Sequence, residues 1–260
     1  MCGRYASARK RHELLEEFDI PRDAPEAREL AADYNVAPTK EVYAVLTRAP
    51  REEDGTPPAE EAAPVRQLRV VRWGLVPSWA KDPSIGSRMI NARVETVAEK
   101  PAFRRAFARR RCLLPADGYY EWYAQEGEKK KQPYFIRPAD GGVLAMAGIY
   151  EFWRDRTRPD DDPLAWWTTV TVITTDALDE LGRIHDRMPM FVPHWDWSAW
   201  LDPSLGEAEA ALGLLRPAAE TGLIAYPVST DVNNVRNNGP ELVKPLPEEG
   251  ISGEYAPTLF

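Results

Sequence analysis

Loss of Met1 would leave Cys2 with two nucleophiles on adjacent carbons, its α-amine and its thiol. Their ordinary pKa values, roughly 7.7 to 8.0 and about 8.5, leave both partly available near neutral pH. An aldehyde can therefore be taken twice: the amine forms a Schiff base, and the thiolate adds to that imine to close a five-membered thiazolidine ring. Neither a serine nor an internal cysteine can make this ring. In most proteins a second residue has no such role, so its company matters. Gly3 has no Cβ to obstruct a ligand, and Arg4 is by type a phosphate partner.

Three further side chains suit proton handling. Glu121 follows two tyrosines and precedes Trp122; a carboxyl among aromatic rings loses hydration and its pKa rises, which fits it for shuttling protons. Strict strand alternation would instead set Glu121 opposite Tyr120 and Trp122, facing solvent. Of the three histidines, His12 sits in a charged helix, His194 beside Pro193 and His185 before Asp186; a near-neutral pKa suits acid-base work, but by type alone His185 reads more often as a surface or helix-end histidine. The amide of Asn91 both donates and accepts hydrogen bonds, and an asparagine equally suits a turn. Cys112, in an apolar run, reads as a buried and inert thiol. With no glycine-rich phosphate loop and no metal-ligand spacing, neither nucleotide cofactor nor metal is expected, and two cysteines give no disulfide framework.

The net charge of -8 argues against a polyanionic partner until its distribution is considered. From Arg66 to Arg111 twelve basic residues face three acidic ones, Asp82, Glu95 and Glu99. Such a segment is a candidate footprint for nucleic acid, or simply a solvated arginine-rich face. Arg4, Arg93, Arg104 and Arg187 are candidate phosphate contacts. Trp73, Trp79 and Pro38 are candidate stacking or wedge surfaces against unpaired bases, although tryptophan is more often buried.

The elements that must position these groups are short. Ser7 to Phe18 has the spacing of an amphipathic helix, with Leu14, Leu15 and Phe18 on one side and Pro21 beyond its end. Strands are expected at 41–46, 67–73, 111–114, 118–122, 134–137, 143–150 and 167–174. Residues 102–110 form a short helix with an arginine face, and further helices are expected at 176–184, 195–200 and 207–215. The segment 49–64, rich in Pro, Glu and Ala, reads as an exposed loop, and the tail 246–260 as a disordered end. Many short strands without βαβ alternation give an α+β fold: a single domain, 1–245, on a curved, largely antiparallel β-sheet, barrel-like, with peripheral helices. No stretch nears the roughly 20 apolar residues that span a bilayer, and the N-terminus lacks an apolar signal core. A cytoplasmic monomer with no membrane partner is expected.

The runs MCGRYA at 1–6, YNVAPT at 34–39, WGLVPSWA at 73–80 and NARVET at 91–96 resemble, in order, the SOS response-associated peptidase (SRAP) family. The pattern continues with RRCLLPADGYYEW at 110–122, AGIYEFW at 147–153 and IHDRMP at 184–189. One departure is Pro101-Ala102, where some members have an Arg-Met pair before the Phe of the basic helix. The resemblance implies covalent crosslinking to abasic sites in single-stranded DNA. By matched motif it implies Cys2 as the crosslinking residue, Asn91 holding the amine, and Glu121 and His185 in catalysis. It also implies a peptidase-like or aminopeptidase removal of Met1, a Schiff-base lyase exit, and a bacterial cytosolic location associated with the nucleoid when DNA is bound. Two alternatives stand beside it: an N-terminal-nucleophile hydrolase using Cys2, Glu121 and His185, and a non-catalytic basic module in which Cys2 is incidental.

Overall fold

Strand β3 (Glu41–Arg48) shows how the sheets are built. Its side chains alternate between two cores, Val42, Ala44 and Leu46 entering one and Tyr43 and Val45 the other, as a period of two demands. Both faces are covered, so the run is apolar throughout and shows no polar-apolar alternation. The computed structural model describes residues 3–22, 24, 27–49, 63–124, 130–159, 161–177, 186–217, 222–247 and 258–259. Cys2, His185, nearly all of the expected 176–184 helix, most of the 49–64 loop and most of the tail lie outside the described residues.

In chain order the remaining elements are β1 (Tyr5–Ser7), α1 (Arg11–Glu17), β2 (Asp33–Val36), β4 (Val65–Trp73), β5 (Asn91–Arg93), α2 (Arg104–Arg109), β6 (Arg111–Ala116) and β7 (Gly118–Tyr123). They continue with β8 (Gln132–Pro138), β9 (Leu144–Arg154), β10 (Trp166–Asp176), β11 (Arg187–Phe191), α3 (Trp197–Leu201), α4 (Ala208–Leu212), β12 (Arg216–Pro217), β13 (Leu223–Pro227) and β14 (Thr258–Leu259). One sheet has the order β14-β13-β8-β7-β1-β2, the other β12-β11-β9-β6-β3-β4-β10-β5. In the second, the pairings β9–β6–β3–β4–β10 return to β9, a closed circuit. All pairs are antiparallel except β10 with β4 and with β5. The α+β class and the curved, largely antiparallel architecture expected from the sequence are those observed.

The first core lies on one face of the larger sheet, where α1, α2, α3 and α4 bring Leu14, Phe18, Phe107, Trp200 and Ala211 onto Val45, Leu68, Leu113 and Ile149. The second lies between the sheets and joins Tyr5, Val36 and Tyr119 to Trp73, Leu114, Tyr150 and Val172. Each fully buried large apolar side chain here contributes about 1.5–3 kcal/mol relative to exposure. Helix α1 is shorter than its periodicity predicts because Ser7 is drawn into β1 opposite Asp33. The helix then starts where Lys10 N donates to Glu13 Oε2 at 2.7 Å. It ends at Asp19, whose φ of 47° is left-handed. Helix α2 keeps its expected arginine face, with Arg104, Arg105 and Arg109 exposed over buried Ala106 and Phe107. After β4, Gly74 turns the chain at a φ of 117°, and a Cβ there would lie 2.6 Å from the Gly86 carbonyl oxygen.

Candidate active site at the N-terminal strand

Strand β1 lies inside its sheet, between β7 and β2. Tyr5 pairs with Tyr119 and Ala6 with Gly118, while Tyr120 N donates to Arg4 O at 2.9 Å. That register, continued one step, sets Gly3 across from Glu121. On the other side of β7, Glu121 pairs with Tyr134 of β8.

Glu121 is only 2% exposed, so the solvent-facing alternative does not hold. The reason is that β7 is covered on both faces: Tyr119 enters the core between the sheets, and Tyr120 enters a third cluster with Phe135, Tyr226 and Val232. Two residues from Tyr119, Glu121 shares its face. The Glu121 carboxyl is pushed up to about 8, chiefly by burial; the positive charge of the amino terminus opposes the rise, the negative charge of Asp186 adds to it and Lys131 opposes it. Asp186 therefore lies within electrostatic reach of Glu121.

Asn91 opens β5, half-buried, in parallel register with Val172 of β10. A line of contacts links it to the N-terminal strand. Tyr5 packs edge-on to Trp73, and Trp73 Nε1 donates to Ile90 O at 3.0 Å, the carbonyl just before Asn91.

Two expected DNA contacts are corrected by the structure. Trp73 is 0% exposed and presents no ring face to a base. Gly74 made it look loop-adjacent, whereas it closes β4 on the inner face with Val71. Arg187, 7% exposed, is an internal clamp. Its Nη1 meets Glu95 Oε1 at 2.8 Å and also Asp176, and its Nη2 donates to Glu95 Oε2 at 3.1 Å and Thr174 O at 2.7 Å. A phosphate would have to displace both carboxylates.

The other candidates are reachable to different degrees. Trp79 is 59% exposed, Arg93 and Arg104 are exposed, and Pro38 is half-buried in the turn between β2 and β3. That turn leans on the site, for Thr39 N donates to Trp73 O at 2.9 Å. The basic segment does not make one face. Arg110 pairs with Glu151, Arg66 donates to Phe18 O, and Arg111 is buried between α2 and α3. Cys112 is buried, and burial raises its thiol well above the ordinary range. Among the described residues no group of three His, Cys, Asp or Glu is placed to hold a metal, and no helix is long and apolar enough to cross a membrane.

Sequence reasoning missed the surroundings of Arg4. Its Nη1 donates to Asn35 Oδ1 at 2.7 Å and Val232 O at 2.8 Å, and its guanidinium carbon lies 5.6 Å from the centre of the Trp122 ring. Trp122 Nε1 donates to Asn233 Oδ1 at 2.6 Å. Beside it opens a cleft of about 450 Å³ lined by Trp122, Lys130, Lys131, Thr230 and Asn233. The asparagines at 233, 234, 237 and 238 were the available signal, since so many short polar side chains in one segment mark a loop held by its own hydrogen bonds.

Two packed sheets, with β1 held inside one of them beside β7 and its buried Glu121 carboxyl, define the class: an α+β protein built on largely antiparallel sheets. Residues 1–235 match the family model described as SOS response associated peptidase (SRAP). The abasic site processing protein YoqW of Bacillus subtilis (strain 168) is 37% identical over 244 residues, covering 94% of this chain and 99% of the relative. The abasic site processing protein HMCES of Gallus gallus is 34% identical over 248 residues, 86% of this chain and 69% of the relative. A crystal structure of a protein from Bacteroides thetaiotaomicron superposes with a TM-score of 0.73 at 26% identity, covering 94% of this chain and 100% of that one. The chain belongs to the SRAP family.

Proposed function

We propose that this protein processes abasic sites in single-stranded DNA by covalent capture at Cys2. The observation that carries the reading is the buried Glu121 carboxyl, one register step from Arg4 and across from Gly3, the residue bonded to Cys2. Adjacent Cα atoms are about 3.8 Å apart, so Cys2 is tethered close to that carboxyl. The Cys2 amine adds to the aldehyde carbon of the opened sugar. Glu121, largely protonated at neutral pH, donates a proton as the hydroxyl leaves as water, giving the imine. The Cys2 thiolate then adds to the imine carbon, the nitrogen takes a proton, and the ring closes. Met1 removal is a condition of this chemistry, because an amine held in a peptide bond is not a nucleophile.

Asn91 and His185 are assigned to hold the amine and to move protons during formation or reversal of the adduct. β-Elimination from the imine is the competing lyase exit. Trp79 and Pro38 supply surfaces for unpaired bases, and Arg93 and Arg104 supply charge for phosphates. The test is incubation with a single-stranded oligonucleotide carrying one abasic site, followed by denaturing electrophoresis. A shifted band is expected with the wild type and none with Cys2→Ala; a wild-type preparation lacking Met1 that gives no band sinks the reading.

A further inference from the structure

We infer that Asn35 is a positioning residue for the N-terminal nucleophile, acting through Arg4; the inference rests on the assignment of Cys2 as that nucleophile. Asn35 is 0% exposed, and every polar atom of its amide is engaged. Its Nδ2 donates to the carbonyls of Val232 at 3.2 Å, Asn234 at 3.1 Å and Asn237 at 3.0 Å, and its Oδ1 accepts from Arg4 Nη1 at 2.7 Å. The backbone around it is fixed as well, since Asn35 N donates to Asp33 Oδ1 and Asn35 O accepts from Lys40 Nζ.

One buried amide therefore joins three pieces distant in sequence: strand β2, the 232–237 loop and the start of the N-terminal strand. Arg4 repeats the connection by donating to Val232 O and lying over Trp122, the residue after Glu121. The backbone of Arg4 is held to β7 by the bond from Tyr120 N to Arg4 O at 2.9 Å. The Asn35–Arg4 contact adds a second hold, from β2 on the other side of β1, at the place where a shift of the strand would carry Cys2 away from the carboxyl. An error of about 1 Å in such a placement costs roughly 100-fold in rate. Arg4, expected from the sequence to contact phosphate, commits Nη1 to this internal role.

The test separates positioning from DNA binding by using an aldehyde without a strand. Wild type, Asn35→Ala and Arg4→Met, each checked for loss of Met1 by intact mass, are reacted with 2-deoxyribose 5-phosphate, and the adduct at Cys2 is followed by mass. An unstructured peptide with an N-terminal cysteine sets the unassisted rate. Both variants are expected to react roughly 10- to 100-fold more slowly than wild type, approaching the peptide. The double variant should be no slower than the slower single one, because the two residues act as one device. Folded variants that keep the wild-type rate, or a double variant whose losses multiply, overturn the inference. If Asn35→Ala does not fold, Arg4→Met leaves the three bonds from Asn35 to the loop in place and carries the same comparison. Affinity for an oligonucleotide with a reduced abasic site should change by less than about twofold in Asn35→Ala; a loss confined to affinity would assign the pair to binding instead. Failure of the wild type to crosslink DNA while the small aldehyde still reacts faster than in the peptide would count against the proposed function and leave the positioning inference standing.

Discussion

The ring of Tyr5 stands edge-on to the ring of Trp73, with centroids 5.2 Å apart and planes at 64°. This one contact ties the short N-terminal strand of the first sheet to the end of β4 in the second. Through the Trp73 Nε1 bond to Ile90 O it also sets the position of Asn91. Aromatic pairs in this geometry add about 0.5–1.5 kcal/mol beyond the area they bury. Trp73→Ala is expected to cost about 3–5 kcal/mol, measured as a fall in urea midpoint. Trp73→Phe keeps an aromatic ring beside Tyr5 but loses the indole bond and part of the buried ring volume, so it should cost about 1–3 kcal/mol, less than the alanine variant, and still slow crosslinking by loosening Asn91. A wild-type crosslinking rate in Trp73→Phe would remove the link to Asn91.

Glu121 makes two predictions about pH. Its carboxyl is raised from 4.5 to about 8 by burial, so the folded protein holds a proton that the unfolded chain has released above about pH 4.5. The unfolded state binds fewer protons across that window, so this group's contribution to stability falls as pH rises from about 4.5 to about 8 and is level outside it. Glu121→Gln should flatten that decline and gain stability relative to wild type at pH 8.5, as chemical denaturation at several pH values would report. In activity, crosslinking by wild type should weaken as pH climbs through about 8, because the proton donor is lost. Glu121→Gln should be slower by roughly 100-fold and lack that limb. A Glu121→Gln profile that still falls through pH 8 would place the titration elsewhere.

Arg111 is a buried arginine with structural work only. It is 3% exposed; Nε donates to Trp200 O at 2.8 Å, Nη1 to Phe107 O and Ala108 O at 2.8 and 2.9 Å, and Nη2 to Asp202 O at 2.6 Å. These carbonyls belong to the C-terminal ends of α2 and α3, where a helix leaves acceptors unpaired and its dipole favours a cation. Arg111→Ala should cost on the order of 3 kcal/mol. Arg111→Lys should recover little of it, because a single ammonium cannot span two helix ends. Thermal melts check both, and a lysine variant as stable as wild type would show that charge alone matters.

How much of this could be read in advance depended on whether a feature is local. The apolar runs of β3, β6, β9 and β10 and the arginine face of α2 were legible, because burial on two faces or on one stripe is written in consecutive residues. Strands β1, β2, β5 and β11 were not, since segments of three to five residues show no period and exist through their partners. The site divides in the same way. The pairing of amine and thiol at Cys2 belongs to one residue and was readable as chemistry. The burial of Glu121 was open between two readings, because alternation assumes one wet face and β7 has none. The true partners of Arg187 lie 92 and 11 residues away, and those of Asn35 31 residues away at Arg4 and about 200 in the loop, beyond any local pattern.

Arg187 allows a last test that distinguishes a structural arginine from a DNA contact. Affinity for single-stranded DNA should fall with salt, and each phosphate contact removed should reduce the slope of log affinity against log salt by about 0.7. Arg93→Ala and Arg104→Ala, on exposed side chains, are expected to reduce it by that amount each and to leave stability nearly unchanged. Arg187→Ala should do the reverse: the slope stays, while stability falls because Glu95 and Asp176 lose their shared cation. Glu95 adds a pH signature. Its hydrogen bond from Arg187 holds the carboxyl below 4.5, so this stabilisation is present above about pH 4.5 and is lost as pH falls through the folded value. The variant should therefore differ most from wild type near neutrality and converge with it in acid. A changed salt slope in Arg187→Ala at full stability would return that residue to the DNA surface and overturn its assignment as a clamp.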